Sequence, residues 1–281
     1  MRLTIDRHDR DTFGLTYVYP VVSRRAGGVS IGINLNPNNA CNWRCVYCQV
    51  PNLVFGSAPP IDLARLEDEL SAFLEWAVRG DFLERHVQDG ARVIKDVAFS
   101  GNGEPTSSGE LPGAVEVVQR VLASFELQRA IDVVLITNGS LVHKEHVRRA
   151  LAALATSRGV VWFKIDSATQ AGQQCVNSIA LGPQRTRDNV VIAASLCPTW
   201  IQTMMLAIDG APPSDEERAA YLDFLRALVR DRVPVHGVLL YGLARPSHQP
   251  EAPRLSALPR EWMETLARAI EAAGLPVRLS L

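Results

Sequence analysis

The sequence predicts an α/β protein of parallel strands joined by helices. Two observations carry this. From about residue 28 to the end, short and nearly continuous apolar runs alternate with amphipathic segments of helical period, the pattern of strands covered by crossover helices. Start and stop signals fall where that alternation needs them. Ser214-Asp215-Glu216-Glu217 reads as a helix N-cap followed by first-turn acids, and Gly274-Leu275-Pro276 as a C-cap glycine and a stop.

Taken in order, strands are expected at Val29–Leu35, Asp96–Ser100, Val133–Thr137, Val161–Asp166, Ile201–Leu206 and Val235–Leu240, with a short last one at Val277–Leu281. Each is rich in β-branched or large apolar residues. The first helix is expected over Leu63–Val78, where Leu66, Leu70, Phe73, Leu74 and Ala77 share one stripe. Glu110–Phe125, Lys144–Ala155, Thr186–Leu196, Asp215–Arg230 and Arg260–Ala273 read alike. Six strand–helix pairs satisfy either an open parallel sheet or a partial barrel, and fall short of an eightfold barrel. Residues 1–27 form a short N-terminal extension expected to wrap the barrel, with a loop signal at Arg24-Arg25-Ala26-Gly27-Gly28; residues 28–281 form one domain.

Composition narrows the class. With 281 residues, 47% hydrophobic and 21% charged, the chain has an ordinary globular composition, which excludes disordered and collagen-like readings. No apolar stretch nears the roughly 18–20 residues of a membrane span, and the acid-containing N-terminus lacks a signal peptide's apolar core, so a cytoplasmic protein is expected. Net charge is −1, which argues against a surface coated with basic groups for nucleic acid.

Ligands of parallel α/β folds sit at the carboxyl ends of strands, so the residues after each strand matter most. After the first comes NPNNACNWRCVYCQVPN, with Cys41, Cys45 and Cys48 spaced C-x3-C-x2-C. Three thiolates within eight residues can face one soft metal centre. Structural zinc takes four ligands, as do ordinary iron–sulfur electron carriers; three would leave one iron of a four-iron cluster open to a small molecule. Chance grouping of buried cysteines, or zinc completed by a distant residue, are the other readings. Cys175 and Cys197 are remote and read as buried small hydrophobes.

This stretch resembles the radical S-adenosylmethionine (radical SAM) superfamily, whose hallmark is C-x3-C-x2-C with an aromatic residue before the last cysteine, here Tyr47. The resemblance implies a partial (β/α)6 barrel of the radical SAM type. It implies that Cys41, Cys45 and Cys48 hold a four-iron four-sulfur cluster whose open iron chelates the amino and carboxylate groups of SAM. It also implies that reduction splits a carbon–sulfur bond to give a 5′-deoxyadenosyl radical.

The later strand ends extend the reading. Ser100-Gly101-Asn102-Gly103-Glu104-Pro105-Thr106 is a glycine-rich turn with one acid. It is similar to the family's Gly-Gly-Glu element for the SAM amino group, interrupted by Asn102. Thr137-Asn138-Gly139-Ser140 suits ribose hydroxyls or a carboxylate, or equally a helix cap. Lys164 and Asp166 share a strand face; they form an internal salt bridge or meet a ligand, and by resemblance Asp166 and Ser167 fall at SAM ribose or substrate contacts. Gln202 and Met204 could touch SAM, although paired methionines are more often core. By resemblance, backbone around Leu240, Tyr241 and Gly242 recognises adenine. Arg245 is a candidate anchor for an anion or a partner of Glu104, and His248 lies exposed on a flexible loop.

GINLNP, the cysteine motif, SGNGEPT, TNGS, KIDS and YGLARP together resemble iron–sulfur oxidoreductases related to the wyosine synthases of tRNA. Those enzymes add a second cluster or a flavin domain and a basic surface. This chain has no further cysteine cluster, and Arg2, Arg7, Arg10, Arg24 and Arg25 stand against Asp6, Asp9 and Asp11 at its start. The expected substrate is therefore a small molecule or peptide, with tRNA the alternative and a zinc-binding, non-catalytic protein the third. A flavodoxin or ferredoxin would supply electrons.

Overall fold

The computed structural model of the chain describes residues 3–4, 13–23 and 26–281. Its centre is one eight-stranded sheet whose strands lie side by side in chain order. They are β1 (Val18–Ser23), β2 (Gly28–Ile33), β3 (Ile94–Phe99), β4 (Asp132–Thr137), β5 (Gly159–Lys164), β6 (Thr199–Met205), β7 (Val235–Gly242) and β8 (Val277–Ser280). Strands β2 to β8 are parallel throughout, and the sheet curls into a half-barrel.

The seven parallel strands are those the apolar runs mark. Edge strand β1 lies in the stretch read as an extension and pairs antiparallel with β2, Val18 opposite Ile33 and Ser23 opposite Gly28. The turn between them closes through Gly27, whose N–H donates to the Ser23 carbonyl at 2.9 Å. Arg24 and Arg25 of the expected loop, and residues 1–2 and 5–12 of the expected extension, lie outside the described residues.

Among the described residues, seven helices of eight residues or more connect the strands: α1 (Leu63–Leu74), α2 (Leu111–Ser124), α3 (Glu145–Ala155), α4 (Gln170–Asn177), α5 (Pro183–Leu196), α6 (Asp215–Arg230) and α7 (Arg260–Ala272), with a five-residue turn of helix at Phe82–His86 after α1. The Ser214 cap is present, its side chain accepting the Glu217 N–H at 3.2 Å. At the far end Gly274 has φ +100°, backbone that favours glycine. Helix α4 has no counterpart in the apolar pattern, because the residues it buries are Gly172, Gln173 and Asn177. Cys175 lies on its opposite side and is exposed, which corrects the buried reading; Cys197 is buried as expected.

Side chains alternate across the sheet. Ile31, Ile33, Val97, Phe99, Leu135, Val161, Phe163, Ile201 and Leu240 face outward into the main core against the helices. The next residues along the same strands, among them Ser30, Asp96, Ala98, Ile136, Trp162 and Gln202, face a cavity instead. The strands are therefore not apolar on both faces. One face is core, and the other, mixed and partly polar, walls a site.

Glu69 fastens the edge strand. Its buried carboxylate accepts the N–H groups of Thr16, Tyr17 and Val18, and Arg65 at 2.9 Å. Burial opposes its ionisation, but these donors win and hold the carboxyl below its usual range. The stabilisation is therefore present above the unfolded value of about 4.3 and is lost as pH falls through the lowered folded value. Glu69→Gln is expected to cost about 1–3 kcal/mol at neutral pH and to flatten that acid limb, as urea melts across pH will read.

Candidate active site

The cysteine segment leaves β2 after Ile33 and crosses the mouth of the half-barrel. Ala40 and Cys41 pair with Val54 and Phe55 in a two-residue parallel ladder. A turn then closes on the Cys48 N–H, which donates to the Cys45 carbonyl at 2.9 Å. Two flanking elements clamp the loop. On one side the end of α4 accepts Val46 N–H at the Val176 carbonyl, 2.9 Å, and Arg44 N–H at the Asn177 carbonyl, 3.3 Å. On the other, Ser247 donates its hydroxyl to the Val46 carbonyl at 2.7 Å, and the His248 N–H donates to the Cys48 carbonyl at 2.9 Å. The His248 side chain is exposed, as expected, but its loop is pinned to the cysteines. Arg44 adds a two-pronged bond to Glu251, 2.8 Å in each arm.

Cys41, Cys45 and Cys48 all line one cavity of about 540 Å³ inside the half-barrel, within the range of small-molecule sites. Among the described residues, no three His, Cys, Asp or Glu side chains converge on a single-ion position. Burial pushes the Cys41 thiol up to about 12 and the Cys45 thiol up to about 11. Hydrogen bonds oppose that shift: Trp43 N–H donates to Cys41 Sγ at 3.4 Å and Asn177 Nδ2 to Cys45 Sγ at 3.2 Å.

The glycine-rich turn after β3 forms the adjoining wall. Ser100, Gly101, Gly103 and Glu104 face the cavity. Glu104 is buried, and burial pushes its carboxyl up despite its donors. Oε1 accepts the Thr106 N–H, the Thr106 hydroxyl and the Thr137 hydroxyl at 3.1, 2.6 and 2.6 Å, while among the described residues Oε2 accepts the Asn138 N–H alone, at 2.7 Å. Arg245 instead donates to Gln49 Oε1 at 3.1 Å and lines the cavity. Asn102, the residue that interrupts the two glycines, joins this turn to the cysteine segment. Its side chain donates to Asn39 at 2.7 Å, and its N–H meets Asn34 at 3.1 Å. Asn138 likewise reaches Asn42 at 2.9 Å.

A charged network stands opposite. Lys164 Nζ donates to the hydroxyls of Tyr47 at 2.6 Å and Tyr241 at 3.1 Å, and lies over both rings. Tyr47 passes its own proton bond to Asp166 Oδ2. Asn177 donates to the same oxygen at 2.8 Å, and Met204 N–H to Oδ1 at 2.9 Å. Lys164 and Asp166 are 3.9 Å apart, so the internal ion pair forms, with Tyr47 bridging it. Burial alone would lower the Lys164 ammonium; Asp166 foremost holds it above its usual range. Tyr47 is raised by burial and by the same carboxylate.

Of the residues singled out in the sequence, the cavity gathers the three cysteines, Tyr47, Ser100, Gly101, Gly103, Glu104, Asn138, Gln202 and Tyr241, with Met204 and Arg245. Thr137 sits behind Glu104. Asp166 and Ser167 stand behind the wall: the Asp166 side chain is wholly buried, and Ser167 donates to Glu217 at 2.7 Å. Trp43 and Asn177 were not legible as site residues. Trp43 Nε1 and Gln202 Nε2 are buried without a hydrogen-bond partner among the described residues, and both residues line the cavity.

No protein-family model matches the sequence. Two curated proteins are similar over about half of it. One is a GTPase Obg of Brachyspira hyodysenteriae, 29% identical over 132 residues, 47% of this chain and 17% of that protein. The other is the UPF0026 protein MJ1312 of Methanocaldococcus jannaschii, 32% identical over 148 residues, 53% of this chain and 39% of that protein. The chain thus spans well under half the length of either. None of its three lysines, Lys95, Lys144 and Lys164, follows a glycine, so the Gly-Lys of a nucleotide-binding P-loop is absent.

Solved structures match far more of the chain. A radical SAM methyltransferase from Sphaerobacter thermophilus superposes with TM-score 0.58 at 15% identity, over 90% of this chain and 66% of that one. SuiB of Streptococcus suis bound to precursor peptide SuiA gives 0.55 at 13% identity, over 88% and 48%. TYW1 with a lysine-pyruvate adduct bound gives 0.55 at 13%, over 89% and 74%. Among the described residues no helix is long and apolar enough to cross a membrane. The half-barrel, its parallel strands in chain order, thus shares its fold with these radical SAM structures.

Proposed function

We propose that this chain is a radical SAM enzyme acting on a small molecule or peptide. The observation that carries the reading is a single cavity lined by three thiols, the carboxylates of Asp96 and Glu104, and two buried donors without partners among the described residues. The sulfurs face this space without converging on a single-ion position, which suits a polynuclear centre in which each thiolate holds its own iron. Cys41, Cys45 and Cys48 would hold three irons of such a centre and leave a fourth open to a small molecule. When bound and reduced, the cluster supplies the electron that splits a carbon–sulfur bond of SAM.

The chain's residues bind, orient and exclude water. Cys41, Cys45 and Cys48 hold the cluster. Oε2 of Glu104 accepts one hydrogen bond and retains capacity for a second, which suits the SAM amino group. A buried amide or indole N–H without an acceptor is costly, so Gln202 and Trp43 call for a ligand that brings acceptors. Tyr241 and Gly242 offer backbone to adenine, and Gly101 and Gly103 let the turn pack closely against Asn34, Asn36 and Ala40 of the cysteine segment. Thr137 orients Glu104, and Asp166 and Ser167 act from behind the wall as supports. SuiB, whose structure holds a precursor peptide, supports keeping peptides among the substrates. A flavodoxin or ferredoxin is the expected reductant, and the cytoplasm the expected compartment.

Anaerobic reconstitution with iron and sulfide, then dithionite and SAM, tests this. The expected products are 5′-deoxyadenosine and methionine, or methylthioadenosine if a different carbon–sulfur bond breaks. Alanine at Cys41, Cys45 or Cys48 is expected to abolish turnover. A reconstituted protein that leaves SAM intact overturns the reading.

A further inference from the structure

We propose that Asn177 is a positioning residue of the thiol site: it fixes Cys45 to the Asp166 network, and its N–H···S bond raises the reduction potential of the centre that Cys45 holds. The inference rests on the functional reading above and assigns a role to a residue that does not itself line the cavity.

Asn177 is 1% exposed. Its two amide hydrogens are both committed, one to Cys45 Sγ at 3.2 Å and one to Asp166 Oδ2 at 2.8 Å. Asp166 fixes which way the amide points. Turned over, the amide oxygen would face a buried carboxylate and a thiolate, both acceptors. One side chain thus spans from the cysteine loop to the ion pair that anchors Tyr47, the residue before Cys48. The backbone repeats the connection, since Arg44 and Val46 on either side of Cys45 donate to the carbonyls of Asn177 and Val176. The helix ends there because Ser178 turns to φ 54°, which presents those carbonyls to the loop.

The chemistry follows from charge. A donor aimed at a ligating sulfur withdraws electron density, favours the more negative reduced state and raises the potential. Cys41 receives such a bond from the Trp43 backbone. The Cys45 bond comes from a side chain and can be removed while the backbone bonds from Arg44 and Val46 to α4 remain.

Wild type, Asn177→Leu and Asn177→Gln, each reconstituted, are to be compared by redox titration followed by electron paramagnetic resonance. The leucine, close in size and without a donor, is expected to move the potential to more negative values while iron content stays near wild type. The glutamine, which carries its amide one methylene further, is expected to move it less in the same direction. It also serves as the test should the leucine variant fail to fold. An unchanged potential in the folded variants overturns the inference and leaves the function standing. A wild-type protein that takes up no cluster overturns both.

Discussion

Replacing Asp166 by alanine is expected to destabilise the folded chain by about 3–5 kcal/mol, the cost of breaking a buried ion pair from one side. Three donors converge on that carboxylate, from Tyr47, Asn177 and the Met204 backbone. Its side chain is wholly enclosed, and Lys164 is 15% exposed. Alanine leaves all three donors without an acceptor and a buried ammonium without its nearest anion. Lys164→Met is expected to cost less, because Asp166 keeps its three donors. The pH dependence has a defined sign. Lys164 is held above its usual range, so its stabilisation is complete below the unfolded value of about 10.4. It is lost only as pH rises through the higher folded value. The difference between wild type and Asp166→Ala should therefore persist undiminished from neutral to mildly alkaline pH. Chemical denaturation of both variants at pH 7 and pH 9 measures it.

Gly103→Ala is expected to be the most damaging one-methyl change at the mouth. A Cβ there would stand 1.9 Å from the Ala40 carbonyl oxygen and 2.7 Å from the Asn36 side chain. Overpacking commonly costs about 1–3 kcal/mol, and an obstructing backbone atom has less room to yield than a side chain. Ala40 immediately precedes Cys41, so any relief of the clash moves the first thiol. Iron per chain after reconstitution should fall more steeply than far-ultraviolet circular dichroism changes. Gly109→Ala, where nothing stands within 4 Å, should leave both unaltered.

These two sites show what a linear reading reaches. Periodicity marked the parallel strands and six of the helices, because their burial is driven by aliphatic side chains at regular spacing. It passed over α4, whose inward face is glycine and amides, and with it Asn177. It passed over β1, whose apolar run Tyr17–Val22 is interrupted by Pro20, a residue a sheet tolerates mainly at an edge. The cysteine spacing and the glycine turn were legible as motifs because their chemistry is local. Tyr47 and Asp166 are 119 residues apart and Glu104 and Thr137 are 33 apart; which of them meets the cavity and which stands behind it is a property of the sheet's register. The interrupting Asn102 looked like a departure from a pattern, and the fold gives it a task in holding the two loops together.

Electron paramagnetic resonance of the reduced, reconstituted protein, recorded before and after SAM is added, tests most directly whether three cysteines hold a cluster with one open iron. The account predicts about four irons and four sulfides per chain, a reduced-cluster signal, and a change in that signal when SAM binds. A colourless protein with stoichiometric zinc, or a cluster signal that SAM leaves unmoved, would contradict it.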